Sequence, residues 1–365
     1  MMDIFALIHE ARARDASDLH LVAASPPLLR IQGNLRHLNG TTPLTAGAVE
    51  EAFSQITSPE ERDTFHKQLE LDFGFSLPGV GRLRCNAAQQ RGAISLAVRL
   101  LPPRIPTIDE LELPQIFKEL AVRPRGLVVV TGPTGSGKST TIAAMIHHLN
   151  TTQSRHIVTI EDPIEYVHTS INSAITQRQL GSDTLSFGHA LKHVLRQTPD
   201  VIMVGEMRDL DTAAAVLTIA ETGHLVLTTG HAPSTPQSIE RIVDLFPPSE
   251  RHLAETRLAS LLVGIICQTL VPRADSSGRI AAVEIMMANP PVRNLIRESK
   301  IYQLSNVIRT HRDIGMITMD QSLVELYKAH VINMEILFGY CNDRDEVKRI
   351  LDTGSPARRG RKQEG

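Results

Sequence analysis

Nine consecutive residues have the types and spacing that bind a nucleotide phosphate. They form the run Gly132-Pro133-Thr134-Gly135-Ser136-Gly137-Lys138-Ser139-Thr140, which satisfies the pattern G-x-x-x-x-G-K-[ST]. The glycines let the backbone curl so that successive N–H groups point at phosphate oxygens. In this motif the lysine neutralises the β- and γ-phosphates and the serine hydroxyl binds Mg²⁺. The sequence therefore predicts ATP and Mg²⁺ as cofactors, held by Thr134, Gly135, Ser136, Gly137, Lys138, Ser139 and Thr140.

Two further apolar segments end in carboxylates. The segment Val201–Val204 runs through a glycine into Glu206, which is predicted to bind Mg²⁺ directly or through water. The segment Ile157–Ile160 is followed by Glu161, Asp162 and Glu165, whose mutual repulsion is relieved when a cation or a water uses them. One of these acids is suited to polarise the attacking water in phosphoryl transfer. A solvated acidic turn is the alternative interpretation.

Histidines and arginines supply the remaining candidates for chemistry. His224 and His231 flank the predicted strand Leu225–Thr229, where a histidine can contact the γ-phosphate and sense its loss, although lone histidines more often serve packing. Three arginines, Arg82, Arg84 and Arg99, lie on the polar faces of two strands joined by the predicted hairpin Gln89-Gln90-Arg91-Gly92.

The elements that must position these residues divide the chain in two. Residues 1–103 show short alternating strands and a helix, typical of an α+β domain, and prolines mark a linker at 104–112. Residues 113–354 alternate apolar strands with helices, which predicts a parallel sheet flanked by helices. Later helices are predicted at Leu253–Leu270 and Val292–Arg297. Residues 355–365 are basic, almost without apolar side chains, and predicted to be disordered.

The amino-acid composition excludes several classes of binding partner and structural site. The 38 basic and 40 acidic residues leave a formal net charge of −2, and aromatic residues make up only 4% of the chain, so nucleic acid is not an expected partner. The three cysteines form no CxxC pair, which disfavours structural zinc and disulfides and fits a reducing cytoplasm. Apolar runs are too short to cross a bilayer, so direct membrane insertion is not expected.

In their order along the chain, these motifs resemble the secretion and pilus ATPase superfamily, and within it the twitching-motility (PilT-type) branch that retracts type IV pili. The resemblance covers about residues 17–350. The Walker A box is residues 132–140. Residues 159–168 resemble the aspartate box of the family, residues 200–209 its Walker B box and residues 220–231 its histidine box. The resemblance implies an N-terminal PAS-like α+β domain followed by a RecA-like P-loop ATPase domain with a parallel-rich sheet.

The resemblance also implies a role for each matching residue. Glu165 corresponds to the catalytic glutamate that activates water, and Glu206 to the Walker B acid near Mg²⁺. His224 and His231 correspond to the paired histidines of the histidine box. The three arginines correspond to those that the family brings to the nucleotide at a domain or subunit interface. The family further implies a homohexamer, cytoplasmic and peripheral at the inner membrane, that acts on an inner-membrane pilus platform protein.

Several functions within and beyond this branch stay open at the level of sequence. Val292-Arg293-Asn294-Leu295-Ile296-Arg297-Glu298 resembles a helical signature of retraction ATPases. An accessory paralogue that works with a second pilus ATPase is the nearest alternative. An assembly ATPase of a pilus or type II secretion system is disfavoured because no tetracysteine insertion is present. A regulatory ATP sensor and a nucleic-acid translocase are the alternatives from other classes.

Overall fold

The computed structural model describes residues 2–31, 33–102 and 104–353. The chain divides into two compact units, residues 1–105 with 165–167, and residues 106–164 with the chain from 168 onward. The boundaries predicted at 103 and 112 stay predictions, and the predicted basic tail 355–365 lies outside the described residues. None of the described helices combines the length and the apolar character that a bilayer crossing requires.

The first unit is an antiparallel sheet covered on one face by helices. The sheet has the strand order β3-β2-β1-β6-β5-β4. In chain order the elements are α1 Ile4–Ala13, β1 Asp18–Leu21, β2 Leu28–Ile31, β3 Asn34–His37, α2 Ala46–Ile56, α3 Pro59–Gln68, β4 Glu70–Leu77, β5 Gly81–Gln90 and β6 Ala93–Leu100.

Alternation along the strands separates a core face from a polar face in this sheet. Leu83 and Cys85 of β5 and Leu96 and Val98 of β6 are buried in one cluster with residues of the helices. Arg84, between the two buried β5 residues, is exposed. Side chains two residues apart on a strand share a face, so the arginines project from the face opposite the core.

The second unit is built on a sheet that is parallel apart from one edge strand. Its strand order is β13-β12-β7-β11-β10-β8-β9, and only the β12–β13 pair is antiparallel. The strands are β7 Gly126–Thr131, β8 His156–Glu161, β9 Ala174–Gln179, β10 Val201–Val204, β11 Leu225–Thr229, β12 Leu262–Pro272 and β13 Arg279–Met287. The helices are α4 Ile116–Ala121, α5 Lys138–Thr152, α6 Phe187–Val194, α7 Leu210–Glu221, α8 Thr235–Asp244, α9 Arg251–Leu261, α10 Pro290–Arg297, α11 Leu304–Thr310, α12 Met319–Lys328, α13 Met334–Tyr340 and α14 Arg344–Thr353.

The central strands β7, β10 and β11 are buried at every position, as expected for a parallel sheet covered on both faces. The predicted fold class, with an α+β first part and a parallel-rich ATPase sheet, is confirmed. Cross-strand pairs place Val130 beside Thr229, Val204 beside Thr228, and Ile160 beside Val204. The carboxyl ends of four neighbouring strands therefore meet at one edge, which is where the candidate site lies.

The predicted helix Leu253–Leu270 is wrong in its second half. Helix α9 ends at Leu261, and strand β12 begins at the next residue and runs beside β7. The apolar run from Leu262 to Cys267 carries Val263, Ile265 and Ile266, whose branched side chains favour a strand. Periodicity alone does not distinguish a short, fully buried strand from a buried helix.

Candidate functional site

The phosphate-binding loop connects β7 to α5 and depends on its glycines. Gly132, Gly135 and Gly137 have φ values of 138°, 79° and 89°, a region that other residues rarely adopt. At Gly132 a Cβ would also lie 2.2 Å from the backbone oxygen of Gln268 on β12. Both the backbone conformation and the space therefore require glycine where the chain leaves β7.

The amino end of α5 has the features of an anion site. Its N-cap, Gly137, has no side chain to accept from the first-turn N–H groups, and the first turn contains no acidic residue. The hydroxyl of Ser136 is buried and has no hydrogen-bond partner among the described residues. The first N–H groups of any helix have no acceptor within the helix, and together with the positive end of the helix dipole they favour an anion. A nucleotide phosphate fits this end of the helix.

Lys138 lies at the centre of the loop. Its Nζ donates to the carbonyl oxygens of Gly132 and Pro133 at 2.9 and 3.0 Å, and the side chain is buried. Thr134 and Gly135 are exposed at the tip of the loop, and Ser139 and Thr140 are half-buried on the first turn of α5. The loop is thus folded around the Lys138 side chain. The ammonium group lies inside the loop, on the side where a bound phosphate would lie.

Glu206 is held between two basic side chains at the same edge of the sheet. Its Oε1 lies 3.0 Å from His231 Nε2, and its Oε2 lies 2.7 Å from Arg208 Nε. Strand β10 brings Glu206 to this edge through Gly205, where a Cβ would lie 3.3 Å from the carbonyl oxygen of Ile160. Strand β11 brings His231. The structure therefore pairs two residues predicted separately, and adds Arg208, to which the sequence assigned no role.

A cavity of 240 Å³ borders this cluster. It lies between the carboxyl ends of β7 and β11 and the helix α8, and its lining includes Thr131, Arg208, His231 and Arg241. Arg241 donates to the carbonyl oxygen of His231 at 3.1 Å. Because His231 and Arg208 border open space, each has room to move away from Glu206 without displacing the core.

The aspartate box follows β8 and is tied to the neighbouring strand β9. Glu161 Oε1 accepts from the Thr159 hydroxyl at 2.6 Å and from Gln177 Nε2 at 3.0 Å. Further along, the backbone N–H of His168 donates to Gln177 Oε1 at 2.7 Å. Burial and the nearby His147 lower the pKa of His168 to about 4. Glu165 lies half-buried in the loop fixed at these points, and its catalytic role stays a prediction.

His224 is not brought to the phosphate-binding loop of its own chain. It precedes β11, whose first residue Leu225 pairs with Gly126 at the start of β7. Its Nδ1 lies 2.9 Å from the Thr222 hydroxyl and 3.2 Å from the carbonyl oxygen of Ile219. Because β7 and β11 are parallel, His224 lies at the edge of the sheet opposite to the loop. The position of His224 therefore does not fit contact with a γ-phosphate bound at the loop of the same chain.

The arginines of the first unit form part of a charged row across its polar face. Arg84 of β5 is directly opposite Arg99 of β6, which is directly opposite Asp18 of β1. Arg99 Nε donates to Asp18 Oδ1 at 2.9 Å, and Arg30 Nε lies 3.4 Å from Asp18 Oδ2. Burial alone would raise the pKa of Asp18, but hydrogen bonds from Arg99 and Ser17 bring this pKa below its usual value. A carboxylate thus offsets the repulsion between paired arginines.

Arg82 lies two residues before Arg84 on β5. A Cβ on Gly74 of the neighbouring strand β4 would lie 3.0 Å from Arg82 Nη2, so the guanidinium covers this glycine. The structure therefore brings Arg82, Arg84 and Arg99 to one face of one sheet. Their action on a nucleotide stays a prediction.

Two buried polar residues that contact the candidate residues, one in each unit, were missed from sequence. Asp18 anchors the arginine row, and Gln268 of β12 bonds to the phosphate-binding loop. A polar residue within an apolar run was the available signal for Gln268. For Asp18, the available signal was its place in a short segment where polar residues alternate with Leu19 and Leu21, which puts the acid on the polar face of a strand.

Comparison with known proteins identifies the family. The model of the type II/IV secretion system protein family matches residues 3–312. The chain belongs to the type II/IV secretion system protein family. It is 45% identical over 347 residues to the type IV pilus retraction ATPase PilT of Pseudomonas aeruginosa, an alignment that covers 95% of this chain and 98% of that protein. The predicted membership of the secretion and pilus ATPase superfamily, and with it the enzyme class, is confirmed.

One further relative and one solved structure are also similar to this chain over nearly its whole length. The type IV pilus ATPase PilU of Pseudomonas aeruginosa is 37% identical over 354 residues, covering 97% of this chain and 92% of that protein. A crystal structure of the pilus retraction motor PilT with bound ADP superposes with a TM-score of 0.90 at 43% identity, covering 96% of this chain and 100% of that chain. Similarity therefore extends over both units of the chain.

Proposed function

We propose that this chain is a hexameric motor that hydrolyses ATP to power the retraction of type IV pili, as in twitching motility. The observation that carries the proposal is the meeting, at one sheet edge, of the Lys138 loop, Glu206 and His231. This arrangement occurs in a chain that is 45% identical over 95% of its length to a pilus retraction ATPase.

The residues at this edge match the needs of a nucleotide with its metal. The open first turn of α5 would take the phosphates, and Lys138 would exchange its two carbonyl partners for phosphate oxygens. A serine hydroxyl and a carboxylate are oxygen donors of the kind that Mg²⁺ prefers, so Ser139 and Glu206 are the residues proposed to hold it. Both Glu206 oxygens have basic partners, so a bridging water is compatible with its role. In this proposal Glu165 activates the attacking water.

In the proposed assembly, the motor acts on the pilus machine at the membrane. Six chains form the ring, and Arg82, Arg84 and Arg99 of one subunit stabilise the transferring phosphate of a neighbour. The ring is cytoplasmic, peripheral at the inner membrane, and acts on the pilus platform protein. A paralogous pilus ATPase is a further partner in this proposal. Different affinities of the motor's conformations for ATP and ADP drive the motion.

An accessory retraction paralogue is the second candidate. It is favoured by the 37% identity to PilU over 97% of the chain. Such a protein would have the same nucleotide site and would need a partner ATPase to retract pili.

The deciding experiment replaces Lys138 by alanine at the native locus and counts surface pili by electron microscopy. Loss of the lysine charge should abolish ATP turnover, so a retraction motor would leave excess pili that do not retract. The control is Lys328→Ala, an exposed lysine on α12, which should leave the number of pili unchanged. Cells without pili would identify an assembly ATPase. Unchanged pili in the Lys138→Ala strain would favour the accessory paralogue.

A further inference from the structure

Gln268 is a buried amide that strand β12 places against the phosphate-binding loop. β12 runs parallel to β7 with Cys267 beside Thr131, so the next residue lies beside the start of the loop. The Gln268 side chain is almost fully buried, with 3% of the residue exposed. Its backbone remains paired with Val283 of β13, so the side chain starts from a fixed point.

The amide bonds to both ends of the turn that begins α5. Its Nε2 donates to the carbonyl oxygen of Ser136 at 2.8 Å, and its Oε1 accepts from the hydroxyl of Thr141 at 2.7 Å. A carbonyl oxygen only accepts hydrogen bonds, so the amide orientation is set by its partners. Gln268 thus joins the loop to the first turns of the helix.

The phosphate-binding loop has a specific need for this donor. When loop N–H groups turn toward a phosphate, carbonyl groups of the same peptides turn toward the protein interior. A buried carbonyl without a donor costs free energy comparable to a lost hydrogen bond. Gln268 supplies that donor to Ser136, whose neighbours Gly135 and Gly137 lie in the left-handed region.

Gln268 also explains the space around two glycines of the motif. A Cβ at Gly137 would lie 2.9 Å from Gln268 Nε2, and one at Gly132 would lie 2.2 Å from its backbone oxygen. The contact at Gly132 is with backbone and leaves no room for a side chain, whereas a side chain at Gly137 would have to displace the Gln268 amide. The loop is therefore packed onto Gln268 as well as bonded to it.

We propose that Gln268 is a positioning residue that holds the loop in its phosphate-binding form and so sets the affinity for the nucleotide. It acts through the Ser136 carbonyl and the Thr141 hydroxyl and has no part in the chemical step. The inference rests on the proposed function to the extent that the loop binds ATP.

The test is Gln268→Glu in the purified full-length protein. This change keeps the shape of the side chain but replaces the donor with an oxygen that faces the Ser136 carbonyl. The dissociation constant for ADP with Mg²⁺, measured by isothermal titration calorimetry, should rise at least about tenfold. The KM for ATP should rise in parallel while kcat at saturating ATP changes by less than about threefold, because binding is lost equally in the ground and transition states.

The matched control is Gln321→Glu, a buried glutamine in the capping box of α12. Its Oε1 accepts from the Thr318 N–H, and a glutamate keeps this acceptor, so ADP affinity should stay at the wild-type value. If Gln268→Glu does not fold, Thr141→Val removes only the hydroxyl that fixes Oε1 and should raise the ADP dissociation constant about threefold.

The inference is overturned if the folded variant melts at a lower temperature but binds ADP with wild-type affinity, since Gln268 would then only brace the fold. If Gln268→Glu does not fold and Thr141→Val is used instead, wild-type ADP affinity in Thr141→Val also overturns the inference. A wild-type protein that neither binds nor hydrolyses ATP would instead contradict the proposed function. The two failures are therefore distinguishable in one set of titrations.

Discussion

Glu206 shows how much of the site is set by single residues at strand ends. Its position was predictable because a buried parallel strand delivers the residue that follows it to the carboxyl edge of the sheet. The partners of Glu206 were harder to predict. His231 was a candidate because it follows its own strand, but nothing in the sequence paired it with Glu206. Arg208 is only two residues from Glu206, and its pairing was not predicted either. The pairing depends on how the chain turns after β10, which no periodic pattern specifies.

Glu165 is the residue on which the chemical step is predicted to depend. Replacing it by glutamine keeps the size and removes the base, so ADP affinity should stay within about twofold while ATP turnover falls by at least about a hundredfold. Turnover is measured as phosphate release by the purified protein. The matched control, Glu335→Gln, changes an exposed acid in the first turn of α13 and should hydrolyse ATP at the wild-type rate. Normal turnover in Glu165→Gln would assign the base to another group.

The two histidines show where reasoning at the residue scale fails. Both flank β11, and the sequence treated them alike, but only His231 lies at the carboxyl edge with the loop. Direction along the strand separates them, since parallel strands present their two ends to different edges. Gln268 escaped notice for another reason. Its partners Ser136 and Thr141 are 132 and 127 positions away in sequence.

Elements with a strong local signal were predicted close to their observed bounds. Val201–Val204 and Leu225–Thr229 are the observed β10 and β11, and the predicted helix Val292–Arg297 lies within α10. The signal failed at the α9–β12 junction, where helix and strand follow each other without a turn. The pairing of β12 with β7 fixes that boundary, in agreement with the branched side chains of the run, whereas hydrophobic periodicity does not specify it.

Helix α10, which contains the predicted retraction signature up to Arg297, stabilises this junction. Arg293 donates through Nη1 to the carbonyl oxygens of Ala259 and Ser260 and through Nη2 to that of Leu262 at 2.9 Å. The first two are among the last carbonyls of α9, which have no partner within the helix. A guanidinium therefore satisfies the end of the helix and the start of the strand together.

Replacing Arg293 by alanine should destabilise the second unit by about 2 kcal/mol, because hydrogen bonds from a charged donor are lost. For a unit of this size, the melting temperature should fall by about 5 °C in differential scanning calorimetry. Arg297→Ala, one turn further along α10, removes an exposed side chain that bonds to Asn294 and should shift melting by less than about 1 °C. Equal shifts in the two variants would show that Arg293 does not support the junction.

At the scale of the whole molecule, the candidate residues are divided between two units with separate cores. The loop, Glu206 and His231 belong to the second unit, whereas Arg82, Arg84 and Arg99 belong to the first. From the prolines after β6 and the change in periodicity, the sequence predicted two domains, and their bounds stay a prediction. How subunits assemble is not encoded in periodicity, because assembly depends on surfaces that would meet only in the proposed ring.

A mixing experiment tests whether the arginines act between subunits. Lys138→Ala subunits lack a working phosphate site but keep their arginines, and Arg99→Ala subunits have the reverse defect. If each site takes its loop from one subunit and its arginine from the next, equal mixing into rings restores roughly a quarter of the sites, since each of two independent choices is favourable half of the time. ATP turnover of the mixture should then exceed that of either variant alone, in samples that native mass spectrometry shows to be hexamers.

The control for mixing is a pair of variants with the same defect. Lys138→Ala mixed with Ser139→Ala places both defects in one loop, so no arrangement of neighbours restores a complete site, and turnover should stay at the level of the single variants. Recovery in the first mixture and not in the second would locate the arginines in trans. If neither mixture recovers while both form hexamers, Arg99 acts within its own chain or not at all. Only monomers in the presence of ATP and Mg²⁺ would contradict the ring itself, because a site shared between subunits needs a stable neighbour.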